Sequence, residues 1–243
     1  MPIESIWLRV SGFGTDATAA ALRKYISAAR DLHQLGKPII GDCVGGLSAL
    51  AVVSFGAASG IAHGLAEKER FDTSNWHKPP PPPDPDKKKG GNAYSVLLPG
   101  IDRLLKPSQA QILVDALGGR RLLSCNDRSC CPHGFEDTIR DPKGHYLRQR
   151  AKQFTALSKI PEQLRAQDFL DNTLADADRT ARQVAKLKVS DEAIATILTK
   201  NADRHDRIRK VLENLKETES VITRSAVFPP PMPIRGNYKN DGR

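Results

Sequence analysis

The sequence predicts an α/β protein: a mostly parallel sheet covered by helices, followed by a helical hairpin. Three observations carry that reading. Up to about position 125, short apolar runs of strand length alternate with runs of helical period, and strand–helix repetition needs crossover connections and so a parallel sheet. Beyond that point nearly every segment has helical spacing. At the seam, three of the four cysteines fall within seven residues, in the run Cys125-Asn-Asp-Arg-Ser-Cys130-Cys131-Pro-His133, with His145 shortly after.

The elements follow in order. Ile6 to Val10 reads as a buried strand ending in the Ser11-Gly12-Phe13-Gly14 turn. Asp16 is placed to cap the next helix. Leu22, Tyr25, Ile26, Ala29, Leu32 and Leu35 form its apolar face, and Gly36 stops it. Pro38-Ile39-Ile40 begins a second strand that ends near Asp42-Cys43. Leu47 to Phe55 reads as an apolar helix closed by Gly56, and Ser59 to His63 as a third strand. Residues 72–93 include five consecutive prolines and the run Lys87-Lys88-Lys89. Proline removes donors, so this insert is expected to be a surface loop. Tyr94 to Leu98 resumes as a strand, Pro107 opens a helix running to Gly118, and Arg121-Leu122-Leu123 reads as one more short strand.

In the second half, His145 to Ser158 is amphipathic and Pro161 starts another turn. Two longer helices then pair along a seam. Leu170, Leu174, Ala177, Ala181 and Val184 lie on one; Ile194, Leu198, Asn201, His205, Ile208, Leu212 and Leu215 lie on the other, with Ser190 as its cap. His205 is expected at a part of the seam that faces water. The organisation is therefore 1–135 α/β, 136–220 helical and 221–243 a proline-rich tail.

Composition bounds the function. Aromatics are 5% of the chain, so the core must be aliphatic. The formal charge is +9, and residues 120–243 hold 24 basic and 17 acidic side chains against 13 and 11 before them. A basic excess attracts nucleic acid or an acidic partner. The N-terminus lacks the pattern of a signal peptide, and Gly45 to Gly64 is too rich in Gly and Ser to span a membrane. A cytoplasmic location with reduced or metal-bound thiols is expected, with no membrane partner.

Thiolates and imidazoles crowded as at 125–145 suit a tetrahedral zinc ion, with Cys125, Cys130, Cys131, His133 and His145 as candidate ligands. The alternatives are reduced thiols packed beneath a loop, or a reactive thiol near Arg128. Catalytic side chains gather at the carboxyl ends of parallel strands, which would bring Ser11, Asp42, His63, Asp102 and Cys125 to one rim. Asp42 and His63 are the candidate catalytic pair there. Gly12-Phe13-Gly14-Thr15-Asp16-Ala17 also fits a loose dinucleotide-binding turn, with Asp42 as the ribose acid, and implies a nucleotide-dependent oxidoreductase.

Strand–helix units, an Asp42-Cys43-Val44 strand end and a cysteine-rich loop leading to a histidine together resemble the C-terminal half of the tRNA-guanine transglycosylase type of (β/α)8 barrel. The resemblance covers about residues 38–157. It implies a partial or open TIM-barrel-like sheet, with Asp42 as the nucleophile that displaces a base. It also implies a structural zinc on Cys125, Cys130, Cys131 and His145. The chain departs from that family in its cysteine spacing and in Gly45-Gly46-Leu47 after the aspartate. The resulting expectation is a zinc-stabilised protein that binds or modifies nucleic acid by base exchange or glycosidic chemistry. The alternative is a non-enzymatic interaction protein, using its hairpin and proline-rich segments to bind a protein partner or itself.

Overall fold

The computed structural model describes residues 3–64, 69–74, 76, 78 and 94–222. Most of the proline insert and the tail beyond Ile222 lie outside them. The chain opens with β1 (Ile6–Leu8), the two-residue β2 (Phe13–Gly14) and α1 (Ala19–Leu32), then a turn of 3-10 helix ending at Gly36 with φ 61°. β3 (Ile39–Asp42), α2 (Gly46–Ser54) and β4 (Gly60–Ala62) complete a three-stranded sheet. Its order is β1-β3-β4 and both pairings are parallel, with Ile6 opposite Ile39 and Asp42 opposite Ala62. The α/β expectation therefore holds for this half, and the strand–helix–strand alternation is what produced it.

The remaining strands lie in two antiparallel ribbons. β5 (Arg70–Phe71) pairs with β2, and β6 (Val96–Leu98) pairs with β7 (Arg103–Leu105). No barrel closes among the described residues. The helices continue with α3 (Pro107–Asp115), α4 (Gly119–Leu123), α5 (Phe135–Arg140), α6 (Pro142–Ser158) and α7 (Glu162–Asp168). A π-helical turn, Phe169–Leu174, runs into α8 (Ala175–Val184), and α9 (Glu192–Ile222) ends the described chain. No described helix is long and apolar enough to cross a membrane.

Two aliphatic cores share one hairpin. In the first, Leu22, Ile26, Ile39 and Val52 pack with Leu170, Leu174 and Leu212. In the second, Val96, Leu98, Leu113 and Phe135 pack with Val184, Ile194 and Leu198. The antiparallel α8–α9 pair thus closes both halves, and its seam residues are those the 4-3 spacing picked out.

Four expectations are corrected. Arg121-Leu122-Leu123 belongs to α4, not to a strand. A short apolar run does not distinguish the two, and here Gly118, at φ 85°, turns the chain into a helix. Thr18, not Asp16, caps α1 by accepting from the Ala21 amide at 3.2 Å. Asp16 instead meets Arg70 at 2.7 Å. Asp191, one residue past Ser190, accepts from the Ile194 amide at 3.1 Å. His205 is fully buried rather than facing water, because the β6–β7 side of the molecule and α8 cover that part of the seam. Asn201 is buried one turn earlier and donates to the Ile101 carbonyl at 3.2 Å.

Candidate metal centre

The loop after α4 is folded by its own polar groups. Asp127 Oδ1 accepts from the Ser129 amide at 3.0 Å and its hydroxyl at 2.6 Å. The Asp127 carbonyl accepts from the Cys130 amide at 3.0 Å and the Cys131 amide at 2.8 Å. This tight turn sends both adjacent sulfurs inward, and Lys152 on α6 ties the loop down through Asp127 Oδ2 at 2.8 Å. His145 comes from the first turns of α6, whose cap Asp141 accepts from the Gly144 amide at 2.9 Å.

Cys125, Cys130, Cys131 and His145 are all buried, and their ligand atoms lie within 4.8 Å of one another. Cys130 and Cys131 Sγ are 3.7 Å apart, and His145 Nδ1 lies 3.4 and 3.2 Å from them. Ligands at ordinary zinc–sulfur distances around a tetrahedral ion are about 3.8 Å from one another, so the donor set fits. The imidazole is oriented for the task. Its Nε2 lies 3.1 Å from the Leu97 carbonyl. A carbonyl only accepts, so Nε2 carries the hydrogen and the Nδ1 lone pair faces the sulfurs, as an outer hydrogen bond does for ligating histidines. Gln149 Nε2 donates to Cys125 Sγ at 3.2 Å.

The electrostatics agree. Burial pushes the Cys125 and Cys131 thiols up from their ordinary values, and it pushes His145 down. Cys130 goes the other way: burial opposes the shift, but hydrogen bonds from Gln149 and Arg148 bring it down. A neutral imidazole suits a metal directly, and a bound dication would hold the sulfurs as thiolates. His133 stands apart from this group. It is exposed, with its backbone amide donating to Asp137 Oδ2 at 2.6 Å. It lines an open cavity of about 580 Å³ beside Cys125, together with Arg120 and Arg121.

Beside the sulfur group lies a buried ionic cluster that links segments far apart in the chain. Arg150 on α6 donates through Nε to Glu69 Oε1 at 2.8 Å and through Nη2 to Glu69 Oε2 at 3.0 Å. Its Nη1 donates to Asp102, whose other oxygen accepts the Leu47 amide at 2.6 Å in the first turn of α2. All three side chains are at least 96% buried. Burial disfavours the charges of Arg150 and Asp102, but their pairing outweighs it, leaving Arg150 raised and Asp102 lowered. Arg204 on α9 completes the cluster, donating to the carbonyls of Ala17 at 2.9 Å and Thr15 at 2.6 Å; burial lowers it to about 10.

The expected rim is only partly assembled. Asp42 sits at the end of β3, where Arg9 Nε meets its Oδ2 at 2.6 Å. His63 follows β4, the neighbouring strand. Its Nδ1 lies 2.9 Å from the Tyr146 hydroxyl, which donates to Glu69 Oε1 at 2.7 Å. Asp102 belongs to the ionic cluster and Cys125 to the sulfur group, while Ser11 pairs with Thr73 at 2.8 Å. The Gly12–Gly14 turn is covered by the Glu69–Arg70 segment: the Glu69 carbonyl accepts the Thr15 amide at 2.8 Å, and a side chain at Gly14 would overlap it. Sequence reading missed Glu69, Tyr146, Gln149 and Arg150. A usable signal was present for Arg150, a charged residue on the same helix face as His145, Tyr146 and Gln149.

No protein-family model matches the chain, and no curated protein or solved structure matches it. Fold and site together define a mixed α/β protein with a buried Cys3His group able to hold a metal ion.

Proposed function

We propose that Cys125, Cys130, Cys131 and His145 hold a structural zinc ion, and that the surface around this centre binds nucleic acid. The convergence of the four ligand atoms carries the first half. Three thiols and one imidazole supply four ligands and leave no place for substrate, which is the make-up of a structural rather than a catalytic site. Reduced thiols of this kind belong to a reducing compartment such as the cytoplasm.

The second half rests on charge. Residues 120–160 contain nine basic and four acidic side chains. Arg121, Arg128, Arg140, Lys143 and Lys159 are exposed, the first four on the segments that flank the candidate ligands. Zinc would tie the Cys125–Cys131 loop to α6 and so fix the spacing of these cations. Of the chemistry implied by the transglycosylase resemblance, attack by Asp42 is supported only by that residue's place at a strand end, since Arg9 already engages its Oδ2. Closure of the sheet into a barrel would need strands beyond those described.

Metal analysis of the purified protein should give about one zinc per chain. Binding to RNA or duplex DNA should weaken steeply with salt, each lost phosphate contact lowering the slope by about 0.7–0.9. The double variant Arg121→Glu, Lys143→Glu should flatten that slope while leaving the metal in place. Metal-free folded protein would overturn the first half of the proposal. Salt-insensitive or absent binding would overturn the second and favour an interaction protein.

A further inference from the structure

The open cavity of about 580 Å³ beside Cys125 is lined from two stretches of chain. One runs from Gly118 through Arg120, Arg121, Ser124 and Cys125 to Asn126; the other is His133, Gly134 and Phe135. These stretches lie at the two ends of the cysteine loop, so the turn that gathers Cys130 and Cys131 also brings the sides of the cavity together. Local geometry sets each side. Gly118, at φ 85°, turns the chain into α4, and the Ser124 amide donates back to the Arg120 carbonyl at 3.1 Å. Gly134 has φ 75°, a left-handed backbone suited to glycine, and its amide donates to the Cys131 carbonyl at 3.0 Å. The His133 backbone is fixed through its amide by Asp137.

The lining has the chemistry of an anion site. Arg120 and Arg121 bring two guanidiniums, and Asn126 and His133 add side-chain N–H donors. Among the described residues, none that lines the cavity is acidic. Arg120 meets Glu136 at 3.8 Å, but both side chains are more than half exposed, and such pairs are weak and readily exchanged. Arg121 has no ion-pair partner among the described residues. The Ser124 hydroxyl is buried without a hydrogen-bond partner among them, a cost that an acceptor oxygen within its reach would offset.

The geometry of the cations narrows the class of anion. The planar guanidinium fork matches pairs of phosphate oxygens. A phosphodiester within a strand carries a single charge, whereas a phosphomonoester carries about −1.5 to −2 near neutral pH. Two guanidiniums in a cavity that holds no carboxylate of its own answer the second better than the first. The volume is also that of a small-molecule site, with space for a sugar beside the phosphate.

We infer that this cavity receives the terminal phosphomonoester of a nucleic-acid strand, with Arg120 and Arg121 engaging the phosphate and Asn126 and His133 donating to it or to the adjoining sugar. The inference rests on the nucleic-acid reading above and deepens it: the strand is held by its end as well as along its backbone.

The test uses the full zinc-loaded chain and a short single-stranded RNA phosphorylated at one end, at the other, or at neither. Affinity is read by fluorescence anisotropy near physiological salt. One phosphorylated strand should bind about tenfold tighter than the unphosphorylated one, as charge-assisted hydrogen bonds to a single group allow. Arg120→Gln should bring that ratio to about one. Asn126→Asp, which adds a carboxylate to the lining, should reverse it. Both residues are exposed, and zinc content and circular dichroism of each variant should match the parent. Equal affinity for the three strands, with a steep salt dependence intact, would overturn this inference and leave the nucleic-acid surface standing. A preference that neither variant moves would place the phosphate elsewhere and overturn it as well. Adenosine monophosphate bound as tightly as the phosphorylated strand would give the cavity to a free nucleotide instead. No binding of any strand would remove the nucleic-acid reading itself, and this inference with it.

Discussion

The sulfur group and the ionic cluster do the same mechanical work by opposite means. Both bind α6 to earlier parts of the chain: His145 and Gln149 reach the Cys125–Cys131 loop, while Arg150 reaches Glu69 and Asp102. The sulfur group is built from residues within 20 positions of each other; the ionic pairs span 81 and 48. The first offers four converging ligand atoms to an ion, while its sulfurs also meet Gln149 and Thr138 at 3.2 and 3.4 Å. The second is complete within the polypeptide, two carboxylates answered by one bidentate guanidinium and a second arginine behind it. With an ion bound as proposed, stability would have a conditional part, set by metal supply, beside the part set by charge pairing.

The largest expected effect separates the two. Removing zinc with a chelator, or replacing Cys131 by Ala, should forfeit the metal's binding free energy, on the order of 10 kcal/mol for structural sites. Helix content and Tm followed by circular dichroism should fall with metal content, and adding zinc should restore them only in the parent chain. Next comes Arg150→Met. It strands Glu69 and Asp102 as buried, uncompensated carboxylates, and such breaks cost about 3–5 kcal/mol. Tm should fall by about 10 °C while zinc content stays unchanged. The triple change Arg150→Met, Glu69→Gln, Asp102→Asn should recover most of that loss. A triple variant no better than the single one would mean that packing, not charge, dominates the cluster.

What could be read from the sequence tracks this same contrast. β1, α1, β3, α2 and β4 were legible because short apolar runs and a period of 3.6 are local signals, and so was the α8–α9 seam. Cys125, Cys130, Cys131 and His145 were legible as a group because thiols are rare and these are near neighbours. His133, equally near, faces outward, and spacing alone could not show that. Glu69, Asp102 and Arg150 are ordinary charged residues whose meeting depends on the completed fold. Cys43 was visible at its strand end beside Asp42, but its left-handed backbone, with φ 59°, is a tertiary fact.

A third effect arises on α9, next to Arg204. His205 is fully buried, and burial together with the nearby Arg204 lowers it to about 4, against the weaker pull of Asp102, the Ala177 backbone and Asp178. A histidine with a depressed folded value binds its proton more readily when unfolded. It therefore costs no stability above about 6.5, and stability is lost as pH falls from there towards 4. The loss is up to about 3 kcal/mol. His205→Leu should flatten the denaturation midpoint over that window, leaving the steeper decline at lower pH where Asp102 protonates. Loss of zinc at acid pH would add to the same slope, so the comparison is best made at saturating zinc.

The smallest effect sharpens the comparison from outside both clusters. Asp141 caps α6, the helix that carries His145 and Arg150, yet it touches neither the sulfurs nor the buried carboxylates. Asp141→Ala should cost about 1 kcal/mol, as lost caps do. If the helix is anchored independently by metal and by charge, that cost should be the same in zinc-loaded Arg150→Met as in the parent. A cap penalty that grows when Arg150 is gone, read as a non-additive shift in a double-mutant cycle, would show that the ionic cluster holds the start of α6 as well as its middle.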